Sequence, residues 1–218
     1  MEPREKASAV YERLMDFLGM PEWHVLPAID ELVNTIISQN TNDKNRDIAF
    51  AELKRRFPTW EEVRDAPTEA VIDCIRYAGL GNQKAPRIQA VLREISAQNP
   101  NLDLDFLKQM PPAEARDWLT QFKGVGKKTA SIVMLFSLGM PAFPVDTHIH
   151  RITGRLGLRP EKMSADDTHD LMMNLFSPEV YGPAHINIIR FGRLICDARR
   201  PKCAQCCLAD LCEYHPNQ

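Results

Sequence analysis

No stretch of this 218-residue chain is apolar for long enough to cross a bilayer, because a spanning helix needs about 20 consecutive, mostly apolar residues. The opening MEPREKASAV lacks the basic-then-apolar pattern of a secretory signal. Partnership with a membrane is therefore set aside. A reducing cytoplasmic setting is expected, and in such a setting cysteines do not read as disulfides. Internal repeats and low-complexity segments are absent, so a repeat architecture is not expected. Strand alternation bounded by hairpin turns is also missing, so a sheet-based fold is not expected. Net charge is nearly absent, with 27 Lys+Arg against 29 Asp+Glu giving -2, so a uniformly basic nucleic-acid binder is excluded.

The distribution of that charge is less neutral. Residues 1–70 hold 9 Lys/Arg and 14 Asp/Glu, whereas residues 121–202 hold 12 Lys/Arg and 7 Asp/Glu, a swing from -5 to +5. A protein meets phosphates with one face, so the local balance matters more than the total. An asymmetry of this size also occurs in proteins that bind no nucleic acid.

Helical periodicity dominates what is present. In LPAIDELVNTIIS the residues Ile29, Leu32, Val33, Ile36 and Ile37 recur at three- and four-residue spacing. AVYERLMDFLG, RDIAFAELKRRF, EAVIDCIRYAGL and APRIQAVLREI carry similar stripes, and Pro58, Pro67, Pro100, Pro111, Pro112, Pro141, Pro160 and Pro178 punctuate the gaps. Ser164 followed by Asp167 offers a helix start before DLMMNLF. The pattern predicts about ten short helices in an all-α fold. The length suits one large domain or two small lobes.

Two segments carry chemistry. The first is a turn between helices. PAEARDWLTQF places Ala115, Trp118, Leu119 and Phe122 on one side, KGVGKK follows, and TASIVMLFSLG resumes helical spacing. Gly124 and Gly126, flanking Val125, let backbone approach a ligand closely, and the free N–H groups of the next helix point at whatever lies outside. Such a turn can be a phosphate site with Lys127, or only a turn between helices. The second segment is the tail, with Cys196-x6-Cys203-x2-Cys206-x5-Cys212. Four thiolates within 17 residues can close around one centre, and zinc and an iron–sulfur cube both accept four thiolates. Cys207 is adjacent to this set and Cys74 stands far from it.

The hairpin FKGVGKKTA, the later VDTHIHR and the tail CDARRPKCAQCCLADLC, in this order, resemble the helix-hairpin-helix DNA glycosylases and, within them, the endonuclease III family. The likeness extends from LVNTIISQNT to Cys212. One departure is visible, since the family usually has Leu-Pro ahead of the first hairpin glycine and this chain has Phe122-Lys123, which adds a cation.

The resemblance implies an all-α, two-lobed fold with a cleft between a helical barrel lobe and a cluster-bearing lobe. Residues 27–137 would form the first, with the helix-hairpin-helix motif at about 112–138. Residues 1–26 and 138–218 would form the second, with the cluster loop at 196–212. It further implies a base-excision repair glycosylase with AP-lyase activity, a monomer acting on double-stranded DNA with damaged pyrimidines or abasic sites. Oxidised pyrimidines would be removed through a lysine Schiff base and the strand cut by β-elimination.

The catalytic lysine would be Lys128, directly before Thr-Ala. An amine attacks only when unprotonated, and a helix start beside a second cation disfavours an ammonium ion. Read without the family, Lys128 is a solvated lysine that binds phosphate. Asp146 would be the catalytic carboxylate, a role compatible with capping the helix that follows it. At about 4 Å and an effective dielectric near 20, a carboxylate offers roughly 4 kcal/mol to a full positive charge, or about a thousandfold in rate.

Cys196, Cys203, Cys206 and Cys212 would hold a [4Fe-4S] cluster, with Arg199, Arg200 and Lys202 on a basic finger against the DNA backbone. Gly124, Val125, Gly126 and Lys127 would contact DNA from the hairpin. A lesion must leave the stack before its sugar can be reached. Asn40, with Gln39 beside it, aligns with the residue that fills the gap, and Leu80 with the apolar wedge. Otherwise Asn40 ends a helix and Leu80 tucks into the core. His148 and His150 do not share a helix face and are read as packing or phosphate contacts. Two alternatives stand beside this reading. One is an adenine-type monofunctional glycosylase, which lacks the hairpin lysine and usually has a further C-terminal domain. The other is a non-catalytic DNA-binding or redox-sensing iron–sulfur protein.

Overall fold

The computed structural model describes residues 1–214, and the fold is all-α: no strand occurs among the described residues. The chain divides into two compact units, Leu26–Gly139 and Met1–Val25 together with the chain from Met140.

The unit Leu26–Gly139 contains α2 (Ala28–Ser38), α3 (Asp43–Arg56), α4 (Trp60–Asp65), α5 (Thr68–Ile75), α6 (Gly81–Gln98), α7 (Pro112–Thr120) and α8 (Lys127–Ile132), the last continued by a π-helical turn over Val133–Ser137. The stripe read from the sequence is the buried face of α2, where Ile29, Leu32, Val33, Ile36 and Ile37 are all buried. Each such side chain contributes roughly 1.5–3 kcal/mol of transfer free energy. Asn42 and Thr59 cap α3 and α4 through side-chain oxygens that accept from Asn45 and Glu62 N–H groups. A buried glutamine, Gln89, binds α4, α5 and α6 together. Its Nε2 donates to the Val63 and Ala66 carbonyls at 3.0 and 2.8 Å, and its Oε1 accepts from Thr68 Oγ1 at 2.7 Å. α6 runs to 18 residues, longer than the short helices read from periodicity. Its first turn starts five residues ahead of Pro86, whose ring removes one backbone donor without stopping the helix.

The other unit contains α1 (Pro3–Leu18), α9 (Thr147–Arg155), α10 (Ala165–Leu175) and α11 (Tyr181–Leu194). Ser164 starts α10 as its sequence suggested, with its Oγ accepting from the Asp167 N–H at 3.0 Å. Asn187 of α11 donates to the Gly19 carbonyl at 2.9 Å and so fixes the end of α1. Past α11 the chain turns through short 3-10 segments at Cys203–Gln205 and Ala209–Leu211. Among the described residues no helix is long and apolar enough to cross a membrane.

Candidate active site

The glycine hairpin forms between α7 and α8. Phe122 is buried and meets Trp118 edge-on at 4.9 Å, so the aromatic that departs from the family pattern fills the core below the turn. The chain then reverses at Gly124, whose φ of 92° favours glycine. Val125 lies 3 % exposed, and its N–H is taken by the Phe122 carbonyl at 3.0 Å. Its side chain therefore anchors the turn from inside. Gly126 differs from Gly124. Its φ is an ordinary -92°, and a β-carbon there would meet nothing within 4 Å. Neither the backbone nor the packing of the chain demands glycine at that position.

Lys127 and Lys128 open α8. Lys128 is exposed, and among the described residues no hydrogen bond or ion pair occupies its ammonium. The next residues, Thr129 and Ala130, are buried, so the helix is seated while the lysine stands out of it.

Asn40 and Leu80 occupy loops of the same unit as the hairpin. Both have left-handed backbone, with φ of 54° and 53°, and both are exposed, Leu80 at 46 %. Leu80 is therefore not tucked into the core. Asn40 follows the C-cap of α2, a position where asparagine tolerates a left-handed backbone. Gln39 bridges to the hairpin. Its Nε2 donates to the Gly124 carbonyl at 3.4 Å, and its Oε1 accepts from Arg87 Nη1 at 2.8 Å.

In the other unit, Asp146 is the N-cap of α9, with Oδ1 accepting from the Ile149 N–H at 2.9 Å. The segment before it is held by two buried histidines. His169 Nδ1 donates to the Phe143 carbonyl and His185 Nδ1 to the Pro144 carbonyl, each at 2.9 Å. His150 Nε2 bonds the Met163 carbonyl at 3.0 Å and His148 Nδ1 accepts from Arg151 at 3.1 Å, so both take part in packing.

All six cysteines are free of disulfides. Burial pushes the Cys206 thiol up to about 11, and the neighbouring thiols of Cys207, Cys196 and Cys212 push the same way. Burial likewise raises Cys212, which also senses Cys196 and Cys203. Cys206 and Cys212 thus each sense Cys196, with Cys207 also beside Cys206 and Cys203 beside Cys212. Cys207 is raised by burial too, but the charge it senses is that of Arg13, on α1. Arg155 Nη1 donates to Cys196 Sγ at 3.2 Å, an N–H···S bond of the kind that stabilises a thiolate ligand. The same guanidinium donates to the Asp197 and Ala198 carbonyls at 2.7 and 2.9 Å. Four thiols in one short segment, one of them bonded by a cationic donor, are of the chemical type an iron–sulfur cluster takes. No group of three or more His, Cys, Asp or Glu side chains among the described residues is itself gathered as a metal site.

Beside these thiols, Asp197 Oδ1 accepts from the Arg199 and Arg200 N–H groups at 2.9 and 3.0 Å, and those bonds hold its carboxyl below the usual range. The resulting turn leaves Arg199, Arg200 and Lys202 exposed. Arg199, Lys202, Cys203, Gln205 and Tyr214 line an open concavity of about 690 Å³.

Arg87, Arg155, His169 and His185 did not stand out in the sequence. Lys84 did not either, although it occupies an apolar-stripe position ahead of Ile88, Val91 and Ile95, and that misfit is a readable signal.

An all-α chain whose helices flank a glycine turn with lysines behind it is a helix-hairpin-helix protein. The sequence profile of HhH-GPD superfamily base excision DNA repair proteins matches residues 33–178, and the chain belongs to that superfamily, in its endonuclease III-like branch. It is 36% identical over 186 residues to endonuclease III of Sulfolobus acidocaldarius, covering 84% of this chain and 81% of that protein. Endonuclease III of Thermotoga maritima is 33% identical over 184 residues, covering 84% and 82%. Among solved structures, a trapped covalent intermediate of endonuclease III with DNA matches with a TM-score of 0.85 at 26% identity, over 98% of this chain and 97% of that one. The activity that goes with this membership is base-excision repair as a DNA glycosylase/AP lyase.

Proposed function

We propose that this protein removes oxidised pyrimidines from double-stranded DNA and cuts the strand at the resulting or pre-formed abasic site, with Lys128 as its nucleophile. The observation that carries the reading is the exposed, unoccupied lysine at the end of the glycine hairpin in a member of this superfamily. The Lys128 amine attacks C1′ of the deoxyribose, the bond from C1′ to the base breaks, and the base leaves with a proton. The C1′–O4′ bond then breaks, O4′ takes up a proton, and the nitrogen lone pair forms the imine to C1′. Departure of a C2′ proton then expels the 3′ phosphate, with the imine as electron sink. Asp146 stabilises positive charge on the sugar as the base departs and passes protons to and from the amine. An adenine-type glycosylase works without such a lysine, and a non-catalytic iron–sulfur protein has no use for one. Both alternatives are therefore disfavoured.

DNA is met by the hairpin residues Gly124, Gly126 and Lys127, with Val125 setting the turn from inside. Gly126 fits a close approach from outside, since nothing within the chain requires a glycine there. Arg199, Arg200 and Lys202 contact the backbone, while Asn40, Gln39 and Leu80 enter the duplex where the base is extruded. Cys196, Cys203, Cys206 and Cys212 would hold a [4Fe-4S] cluster, which when bound supplies a rigid cross-link for the loop. Arg155 orients Cys196, and Asp197 shapes the basic turn beside it. The two lobes are assigned as 27–137 and 1–26 with 138–218, and the protein acts as a monomer in the cytoplasm.

Borohydride reduction of the imine tests this reading. Lys128→Gln should abolish trapping and nicking of an abasic site while DNA binding persists. Trapping by that variant at the wild-type rate would place the nucleophile elsewhere.

A further inference from the structure

Lys84 is 2 % exposed, one of the largest fully buried side chains of the protein. A buried ammonium is expensive unless something compensates it, and a methionine or leucine on this apolar stripe would pack without that cost. No carboxylate pairs with it among the described residues. Instead Nζ donates to two carbonyls, those of Ile37 and Ala78, each at 2.8 Å. Burial pushes its pKa down, as expected for a cation held only by neutral acceptors.

The identity of those acceptors gives the residue its meaning. Ile37 lies three residues before Asn40, at the end of α2, and Ala78 lies two residues before Leu80, at the end of the 3-10 turn Arg76–Ala78. One ammonium therefore joins two chain ends that are 41 residues apart in sequence. Each segment then passes into a left-handed non-glycine residue: Asn40, a residue type that takes this backbone readily, and Leu80, where it persists only because the surroundings impose it. One turn further along α6, Arg87 bonds Gln39, and Gln39 bonds the hairpin carbonyl of Gly124. The start of α6 thus fastens both loops and ties one of them to the turn that bears Lys128.

We propose that Lys84 is a positioning residue for opening the duplex, clamping the Asn40 and Leu80 loops so that both side chains enter DNA as one unit. Extruding a nucleotide costs unstacking and unpairing free energy, which side chains held in place to enter the duplex can offset. This inference rests on the reading that Asn40 and Leu80 enter the duplex.

The test compares strand cleavage at an abasic site in a paired duplex with cleavage at the same site in an unpaired loop, under single-turnover conditions. Leu80→Ala with Asn40→Ala should lower the paired-to-unpaired rate ratio, and Lys84→Met should lower it by about tenfold, within the range of coupled neighbours. Added to the Leu80→Ala, Asn40→Ala background, Lys84→Met should change the ratio by less than about twofold, because the side chains it positions are gone. A Lys84→Met that slows both substrates equally, or whose effect multiplies in that background, overturns the clamp. An unchanged ratio in the Leu80→Ala, Asn40→Ala protein overturns instead the assignment of those residues to the duplex. If circular dichroism shows Lys84→Met unfolded, the same cycle with Lys84→Gln, which keeps an amide donor, decides by the same outcomes.

Discussion

Arg87 lies so close across the hairpin that a β-carbon on Gly124 would fall 2.3 Å from its Cδ. Gly124→Ala would also force a side chain into a φ of 92°. The substitution should cost about 1–3 kcal/mol in urea unfolding and, by displacing Arg87, loosen Gln39 from the Gly124 carbonyl. Gly126→Ala should leave stability unchanged, since its β-carbon meets open space, and should instead weaken DNA binding. Equal loss of stability in the two variants would show that the glycines serve one structural purpose.

That contrast marks what periodicity and spacing can convey. The buried stripe of α2, the start of α10 at Ser164 and the turn between α7 and α8 are local, and local pattern names them. Val125 is also local, yet alternation within a two-glycine turn does not say which side chain faces inward. The remaining parts are long-range. The bonds from Lys84 to Ile37, from Arg155 to Cys196 and from His185 to Pro144 join segments tens of residues apart. A helical stripe tells which face is buried and not which carbonyl it will meet. Lys84 was legible only as a misfit on its stripe, and Arg155 as one more cation in a basic half.

The cysteine loop yields a prediction about selectivity within one sequence. The x6, x2, x5 spacing takes in Cys206 and leaves out Cys207, and the charge Cys207 senses is that of Arg13. Cys207→Ser should retain the iron and the visible charge-transfer absorption of the purified protein, and Cys206→Ser should lose both. Arg155→Met should retain iron but bleach faster under an oxidant, having lost the donor to Cys196 Sγ. Loss of iron from the Cys207 variant, or stoichiometric zinc in anaerobically prepared protein, would count against the assigned ligand set.

Glu31, in the first turn of α2, gives a pH dependence whose sign can be worked out. Burial raises its carboxyl above the ordinary 4.5, against the hydrogen bond it accepts from Thr35 Oγ1 at 3.1 Å and the charge of Arg46. Between the ordinary and the raised value the folded state holds more protons than the unfolded one, so stability falls as pH rises through that interval. The cost is complete once pH lies above the raised value. Glu31→Gln keeps an acceptor for Thr35 and removes the cost. It should stabilise the protein at pH 7–8 by less than about 2 kcal/mol, with the gain disappearing as pH falls towards 4.5. A urea midpoint difference that grew on acidification would contradict this sign.

Asp146 has two roles to separate, and three substitutions separate them. Its Oδ1 caps α9 through the Ile149 N–H, and serine and asparagine cap helices about as well as aspartate does. Asp146→Ser and Asp146→Asn should therefore keep stability within about 0.5 kcal/mol of wild type, whereas Asp146→Ala should lose about 1 kcal/mol. If the carboxylate acts on charge developing at the sugar, all three should slow base removal alike. The limit is about a thousandfold, the full worth of one carboxylate near a unit charge. Cleavage of a pre-formed abasic site should fall less, because no base has to depart. Lys128→Gln should lose abasic-site cleavage and trapping outright, with no abasic substrate spared. Should the serine and asparagine variants remove bases at the wild-type rate while alanine alone fails, Asp146 would be a helix cap and the charge at the sugar would be met by another group.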